Sequence, residues 1–116
     1  MNTWTYIKAD SFFLDLLPEI KNYKRKIAGT NTKGKPLEFS QVEIKQINTA
    51  LKKIPDLYLW RYVKAERFFT DYLPDIKNFK RKISGLSSRG DSLDFSEQEK
   101  KLIKKSVAKM VRESLL

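Results

Sequence analysis

The sequence has no cysteine and no histidine among its 116 residues. These absences exclude disulfides, thiolate and imidazole metal ligands, cysteine nucleophiles and Ser-His-Asp hydrolysis. No apolar run approaches the roughly 18 residues that a membrane-spanning helix needs, and the first residues do not have the pattern of a secretory signal peptide. We therefore expect a cytoplasmic protein that binds no metal ion, no cofactor and no small-molecule substrate.

Positive charge is what the sequence has in excess. It contains 24 Lys+Arg against 14 Asp+Glu, a formal net charge of +10, while 41% of the residues are hydrophobic and can build a core. Residues 1–58 hold 10 basic and 6 acidic residues, a net charge of +4, and residues 59–116 hold 14 and 8, a net charge of +6. A basic excess in both halves favours a polyanionic partner.

The chain aligns with itself when it is shifted by 56 positions. Residues 4–53 and 60–109 share 25 identical residues at 50 aligned positions without a gap. The identities include the charged string Lys24-Arg25-Lys26, which returns as Lys80-Arg81-Lys82. Exposed side chains have little packing reason to match, so their retention favours a shared binding role. We predict two tandem repeats of about 56 residues, at residues 1–56 and 57–116.

The apolar positions predict three helices in each repeat and therefore an all-α fold. The first helix is expected near residues 9–17 and again near residues 65–73. A second helix is expected over residues 18–28, because Pro18 suits a first helical turn and Gly29 suits a left-handed C-cap.

Two serines predict where the third helix of each repeat begins. Ser40 stands three residues before Glu43, and Ser96 stands three residues before Glu99, which is the spacing of a capping box. Three short helices in one repeat give a thin core, so we expect the repeats to pack on each other into one compact body. The aromatic residues Trp4, Tyr58 and Trp60 are the candidates for that contact.

A short helix, a sharp turn and a basic second helix are the parts of a helix-turn-helix, whose second helix enters the DNA major groove. Asn can read adenine, and Arg or Lys can read guanine or hold phosphates. Each of the polar loops at residues 30–37 and 86–93 adds one candidate phosphate contact next to a glycine, Lys33 in the first and Arg89 in the second. The predicted DNA-binding residues are Lys21, Asn22, Lys24, Arg25, Lys26 and Lys33 in the first repeat and Lys77, Asn78, Lys80, Arg81, Lys82 and Arg89 in the second.

Residues 12–29, which include the run Tyr23-Lys24-Arg25-Lys26-Ile27-Ala28-Gly29, resemble the helix-turn-helix of phage-repressor-type (Cro/repressor-like) proteins. The helix that follows Phe39-Ser40 is similar to the one that this family places after its recognition helix. The resemblance implies a non-enzymatic double-stranded DNA-binding protein. Its expected role is that of a transcriptional regulator or a phage- or plasmid-associated factor located at the nucleoid.

Two other functions compete with duplex binding. The basic faces can equally dock on an acidic protein, as in an interaction or inhibitor module, or bind RNA. Aromatic side chains stack on bases in some single-strand binders, but Phe12, Phe13, Tyr23 and Phe39 fall at apolar helical positions and are predicted to be core.

An enzymatic function is not expected. Glu43-x-Lys45 is similar to a fragment of restriction-type nucleases, yet that fragment requires a strand, and here the glutamate already serves as a helix cap. For a DNA-binding chain, repeats related by a twofold axis predict half-sites about 10 bp apart, whereas direct repeats predict an asymmetric site.

Overall fold

The computed structural model describes residues 3–30, 33–85, 89–90 and 92–116, and most of them lie in helices. Two short 3₁₀ turns, Thr3–Thr5 and Ile54–Asp56, accompany the α-helices. The α-helices in the described part of the chain are α1 (Ala9–Leu16), α2 (Tyr23–Ala28), α3 (Gln41–Leu51), α4 (Leu59–Tyr62), α5 (Ala65–Tyr72), α6 (Phe79–Ser84) and α7 (Glu97–Ser114).

These helices agree with the predicted all-α class. Extended pairing within the described ranges is limited to two isolated bridges, Ile7 with Val63 and Thr30 with Pro36. The two predicted polar loops lie partly outside the described residues, which omit 31–32, 86–88 and 91. No helix in the described part is both long enough and apolar enough to cross a lipid bilayer.

Aromatic side chains form the centre of each half. Phe12 and Phe68 are fully buried, and Phe13 and Phe69 are each 1% exposed. Trp4 packs against both phenylalanines of α1, and Trp60 packs in the same way against those of α5. The paired phenylalanines therefore belong to the core, as the sequence predicted, and none of the four can stack on a nucleic-acid base.

The second helix of each half is shorter than expected. The prediction of a helix over residues 18–28 is wrong for its first five residues, because α2 begins at Tyr23. Leu17 leaves the helical region with φ −139° and ψ 57°, and Asn22 has a left-handed conformation with φ 59°. A left-handed residue cannot lie within a right-handed helix, so the segment between α1 and α2 is a turn. The same turn precedes α6, where Asn78 has φ 57°.

The helix caps match the prediction. Ser40 Oγ accepts a hydrogen bond from the Glu43 amide at 3.1 Å, and Glu43 Oε1 accepts one from the Ser40 amide at 2.9 Å. Ser96 and Glu99 form the same capping box at the start of α7. Gly29 ends α2 in the left-handed conformation, with φ 86°.

The two halves meet at a backbone contact. The Lys8 amide donates to the Tyr62 carbonyl at 2.7 Å, and the Lys64 amide donates to the Tyr6 carbonyl, also at 2.7 Å. These two bonds flank the bridge between Ile7 and Val63, which are both fully buried.

The aromatic residues expected at this contact have other positions. Tyr58 is 65% exposed, and the indole rings of Trp4 and Trp60 pack on the phenylalanines of their own halves. Their main chains do take part, because Lys8 Nζ donates to the Trp60 carbonyl at 2.9 Å and Lys64 Nζ to the Trp4 carbonyl at 2.8 Å.

The end of α7 packs back on the first half. Thr3 Oγ1 donates a hydrogen bond to the Ser114 carbonyl, and Asn48 on α3 exchanges two hydrogen bonds with the Leu116 main chain, at 2.8 and 3.1 Å. The body is nevertheless elongated. Its Cα extents are 51 × 25 × 23 Å, and its radius of gyration of 16.1 Å exceeds the value of about 13 Å typical of a spherical domain of this length.

Candidate nucleic-acid interface

Four of the predicted DNA-binding residues in each half lie together on the surface. In the first half, Lys21 and Asn22 end the turn after α1, and Lys24 and Arg25 are the second and third residues of α2. All four are exposed. Their counterparts occupy the same positions around α6 and are also exposed. We name the first basic patch Lys21, Asn22, Lys24 and Arg25, and the second basic patch Lys77, Asn78, Lys80 and Arg81.

An aromatic stack holds α2 against α1. The rings of Phe13 and Tyr23 lie parallel, with their centroids 4.5 Å apart. Tyr23 Oη also donates to Asp10 Oδ1 at 2.6 Å, and the pKa of Tyr23 is raised because the carboxylate accepts its proton as a hydrogen bond. In the second half Phe69 and Phe79 stack in the same way at 4.6 Å, without a hydroxyl group. Stacking is therefore the shared means by which each basic patch is positioned.

The cations of the patches are only weakly neutralised. Lys24 lies 3.8 Å from Asp10 and Lys80 lies 3.6 Å from Glu66, with all four side chains more than 70% exposed. Ion pairs in this environment contribute little free energy, so a phosphate group can displace the carboxylate. Within the described ranges, Arg25 and Arg81 have no carboxylate within ion-pairing distance, and the side chain of Lys21 only donates to the Pro18 carbonyl at 3.3 Å.

Lys26 and Lys82 differ from the other predicted cations. Lys26 Nζ lies 2.8 Å from Glu43 Oε2, and its side chain is 16% exposed. The ammonium group also lies 5.9 Å from the centre of the Phe39 ring. Lys82 makes the same pair with Glu99 at 2.9 Å and is 17% exposed. The Lys26 ammonium group is directed towards α3 and the Lys82 ammonium group towards α7, rather than towards solvent.

These inward pairs join the basic helix to the helix that follows it. Glu43 accepts hydrogen bonds from both Lys26 and the Ser40 amide, and these bonds lower its pKa. Glu99 has a lowered pKa for the same reasons, with Lys82 as the larger cause. The two lysines thus position α2 and α6. The sequence prediction missed this role, although a Lys-to-Glu spacing of 17 residues occurs in both halves.

The two asparagines have a conformational role that the sequence prediction also missed. Asn22 and Asn78 are the only non-glycine residues with positive φ in the described part of the chain. Asparagine tolerates this conformation better than most residues, which is a sufficient local reason for its presence. Neither side chain caps the helix that it precedes, and both residues are exposed.

Lys33 and Arg89 lie apart from the basic patches. Both are exposed, and each precedes a glycine with positive φ in the loop after the basic helix. The Leu37 amide returns to the Gly29 carbonyl at 2.9 Å, so the first loop closes at the C-terminal end of α2. Lys33 therefore belongs to a loop at the opposite end of α2 from Asn22.

Acidic side chains are dispersed over the described part of the chain. Across the described ranges, no three side chains of the metal-ligating types come together. A shallow pocket of about 410 Å³ lies between α5 and α6, but its lining mixes Glu66 with Lys80 and Arg81. Glu43, the candidate nuclease carboxylate, is engaged by its capping box and by Lys26.

No protein-family model matches the chain, and no curated protein or solved structure matches it at a significant level.

Proposed function

We propose that the chain consists of two copies of one helix-turn-helix-like unit and that it is a non-enzymatic, double-stranded DNA-binding protein with a regulatory role. One observation carries the proposal. The four side chains of the first basic patch are exposed and identical to those of the second, and each set is presented on the same turn-and-helix arrangement. The interface comprises the two basic patches, with Lys33 and Arg89 as outlying phosphate contacts.

The charge of the patches supports a phosphate-rich partner. Each patch presents three cations on one short segment, and the carboxylates paired with Lys24 and Lys80 are exposed and lie 3.6 to 3.8 Å from the ammonium groups. Each phosphate that such a cation neutralises on duplex DNA releases condensed counterions, which contributes about −0.9 to the slope of log K against log salt. Binding through both patches therefore predicts a strong dependence of affinity on salt.

Because α2 is short, its contact with DNA would depend on how far its side chains and those of the preceding turn extend. The helix has six residues and is about 9 Å long, which is less than two turns. Lys21 and Asn22 extend the contact surface from the turn, while Lys24 and Arg25 lie in the first turn of the helix. Recognition helices also place their N-terminal residues nearest the base edges.

The test is a set of duplex titrations at several salt concentrations with a quadruple variant, Lys21→Ala, Arg25→Ala, Lys77→Ala and Arg81→Ala. Its matched control is Lys45→Ala, Lys53→Ala, Lys101→Ala and Lys109→Ala, four exposed lysines that also occur at equivalent positions in both halves. Both variants lose four positive charges. We expect the patch variant to lose at least about ten-fold in affinity and to have a salt slope smaller by about 1 for each lost phosphate contact.

Equal losses in the two variants would assign binding to net charge rather than to the patches. An RNA duplex and a single-stranded RNA titrated at the same salt concentration separate RNA binding from DNA binding. A partner captured from a nuclease-treated extract by the native chain but not by the patch variant, together with no duplex binding, would favour the acidic-protein alternative.

The asparagines are tested separately. Asn22→Gly and Asn78→Gly keep the positive φ and remove the amide group. If the amides read adenine, these changes reduce discrimination among duplex sequences, whereas circular dichroism and thermal stability stay close to those of the native chain. Unchanged discrimination would restrict the asparagines to their conformational role.

A further inference from the structure

Six hydrogen bonds between the two halves form three exchanged pairs, whereas the bonds of Arg61 and those of the end of α7 do not exchange. The amide of Lys8 binds the carbonyl of Tyr62, and the amide of Lys64 binds the carbonyl of Tyr6. Each bond becomes the other when every residue is replaced by its equivalent in the opposite half, 56 positions away.

Three independent kinds of contact follow this rule. The ammonium groups of Lys8 and Lys64 bind the carbonyls of Trp60 and Trp4. In the third set, Tyr6 Oη donates to Asp71 Oδ2 at 2.6 Å, and Tyr62 Oη donates to Asp15 Oδ2 at 2.9 Å. The agreement therefore extends from the main chain to short and long side chains.

Exchange of this kind has one geometric source. When two like units contact each other through the same surface, residue i of one unit touches residue j of the other and the reverse is also true, which is the property of a twofold interface. Units stacked head to tail use two different surfaces, and their contacts do not exchange. The two halves of this chain are accordingly related by an approximate rotation of 180°, which also relates the first basic patch to the second.

A DNA duplex has a twofold axis that matches that of the protein only when its site is an inverted repeat. A twofold axis perpendicular to the DNA axis relates the two half-sites of an inverted repeat, whereas a translation along the DNA axis relates direct repeats. Half-sites one helical turn apart lie about 34 to 36 Å from each other. That spacing fits within the longest extent of the molecule, 51 Å, and exceeds the other two, 25 and 23 Å.

We propose that the target of this chain is a single duplex site with inverted-repeat symmetry, whose two half-sites are bound by the two halves of one molecule. This inference rests on the proposed DNA-binding function. It adds the class of sequence, a stoichiometry of one chain per site, and alignment of the long axis of the protein with the DNA axis.

The test begins with a pool of random 30-bp duplexes from which the full-length chain selects its ligands. The selected half-site is then placed in three duplexes of equal length, as an inverted repeat, as a direct repeat with the same spacing, and as a single copy. We expect the inverted repeat to bind at least about ten-fold more tightly than either of the others, because the second half-site adds several base contacts.

Two one-sided variants sharpen the test, one with Lys21→Ala and Arg25→Ala and the other with Lys77→Ala and Arg81→Ala. On the inverted repeat they are expected to lose affinity equally, within about two-fold, because either orientation of the molecule on a symmetric duplex is equivalent.

Three results would overturn the inference and leave the proposed function in place: tighter binding of the direct repeat, equal binding of the single copy, or duplex binding with no selected sequence. Absence of duplex binding by the native chain would overturn both.

Discussion

The two ends of the contact between the halves share a Tyr–Asp hydrogen bond and differ in the arginine beside it. Arg61, on the other half, binds both carboxylate oxygens of Asp15, with Nη2 2.9 Å from Oδ1. Asp71 receives its arginine from its own helix, because Arg67 stands four residues earlier and donates at 3.2 Å. Asp15 and Asp71 occupy equivalent positions, and each is paired with an arginine. That arginine comes from the other half for Asp15 and from the same helix for Asp71.

This difference indicates that the contact between the halves requires the tyrosine and the aspartate, whereas the position of the arginine can vary. The tyrosine and aspartate occur at both ends, whereas Arg61 replaces Thr5 and Arg67 replaces Ser11. A carboxylate that accepts from a buried tyrosine is stabilised by a nearby cation, and either a crossing or a local arginine supplies one. The crossing arginine also adds a bond between the halves that has no equivalent at the other end.

The largest expected effect comes from the aromatic cores, which are alike in the two halves. Phe12→Ala and Phe68→Ala each remove a fully buried ring and should lower the free energy of unfolding by about 3 to 5 kcal/mol. Urea denaturation followed by circular dichroism measures both. A second transition in either variant would show that the halves do not share one cooperative core.

A smaller effect is expected at the two tyrosines. Tyr6→Phe and Tyr62→Phe keep the rings and remove the hydroxyl donors to Asp71 and Asp15, and each should cost about 1 to 2 kcal/mol. Asp15 keeps its crossing arginine in Tyr62→Phe, so the contact at that end is expected to lose less than the other. The same denaturation experiment decides this order, and a larger loss for Tyr62→Phe would contradict it.

The smallest effect concerns pH. Arg61 first and Tyr62 second lower the pKa of Asp15 from 3.8 to about 2, while Asp71 is lowered mainly by Tyr6. A carboxyl group whose pKa is lower in the folded state stabilises the fold above its unfolded pKa, and this contribution disappears as the pH falls from about 4 to about 2. Arg61→Met should raise the pKa of Asp15 in a carboxylate NMR titration, and Arg67→Met should leave it unchanged. An unchanged Asp15 pKa in Arg61→Met would contradict the assigned cause.

Much of the local structure could be predicted because its causes are local. The capping boxes of α3 and α7 depend on residues three apart, and the left-handed end of α2 depends on Gly29. The start of α2 could not be predicted in this way. Pro18 permits a helix to begin, whereas the conformation of Asn22 delays it, and both outcomes are compatible with the apolar spacing.

The candidate site was predictable in part for the same reason. The cations at positions 21, 24 and 25 were assigned to the surface and are exposed, since the apolar residues around them fix which side faces inward. The inward direction of Lys26 depends on a carboxylate 17 residues away, and the contacts of Tyr6 and Tyr62 depend on the opposite half. Such pairings become visible only when the elements are placed in space.

The 3₁₀ turn Ile54–Asp56 joins the halves by a short connection in which Ile54 is fully buried. Because one covalent chain carries both partners of the contact, their association is a unimolecular equilibrium that dilution does not weaken. A separately encoded pair of the same units would dissociate at low concentration, whereas this molecule carries both basic patches, at a fixed one-to-one ratio, in every copy.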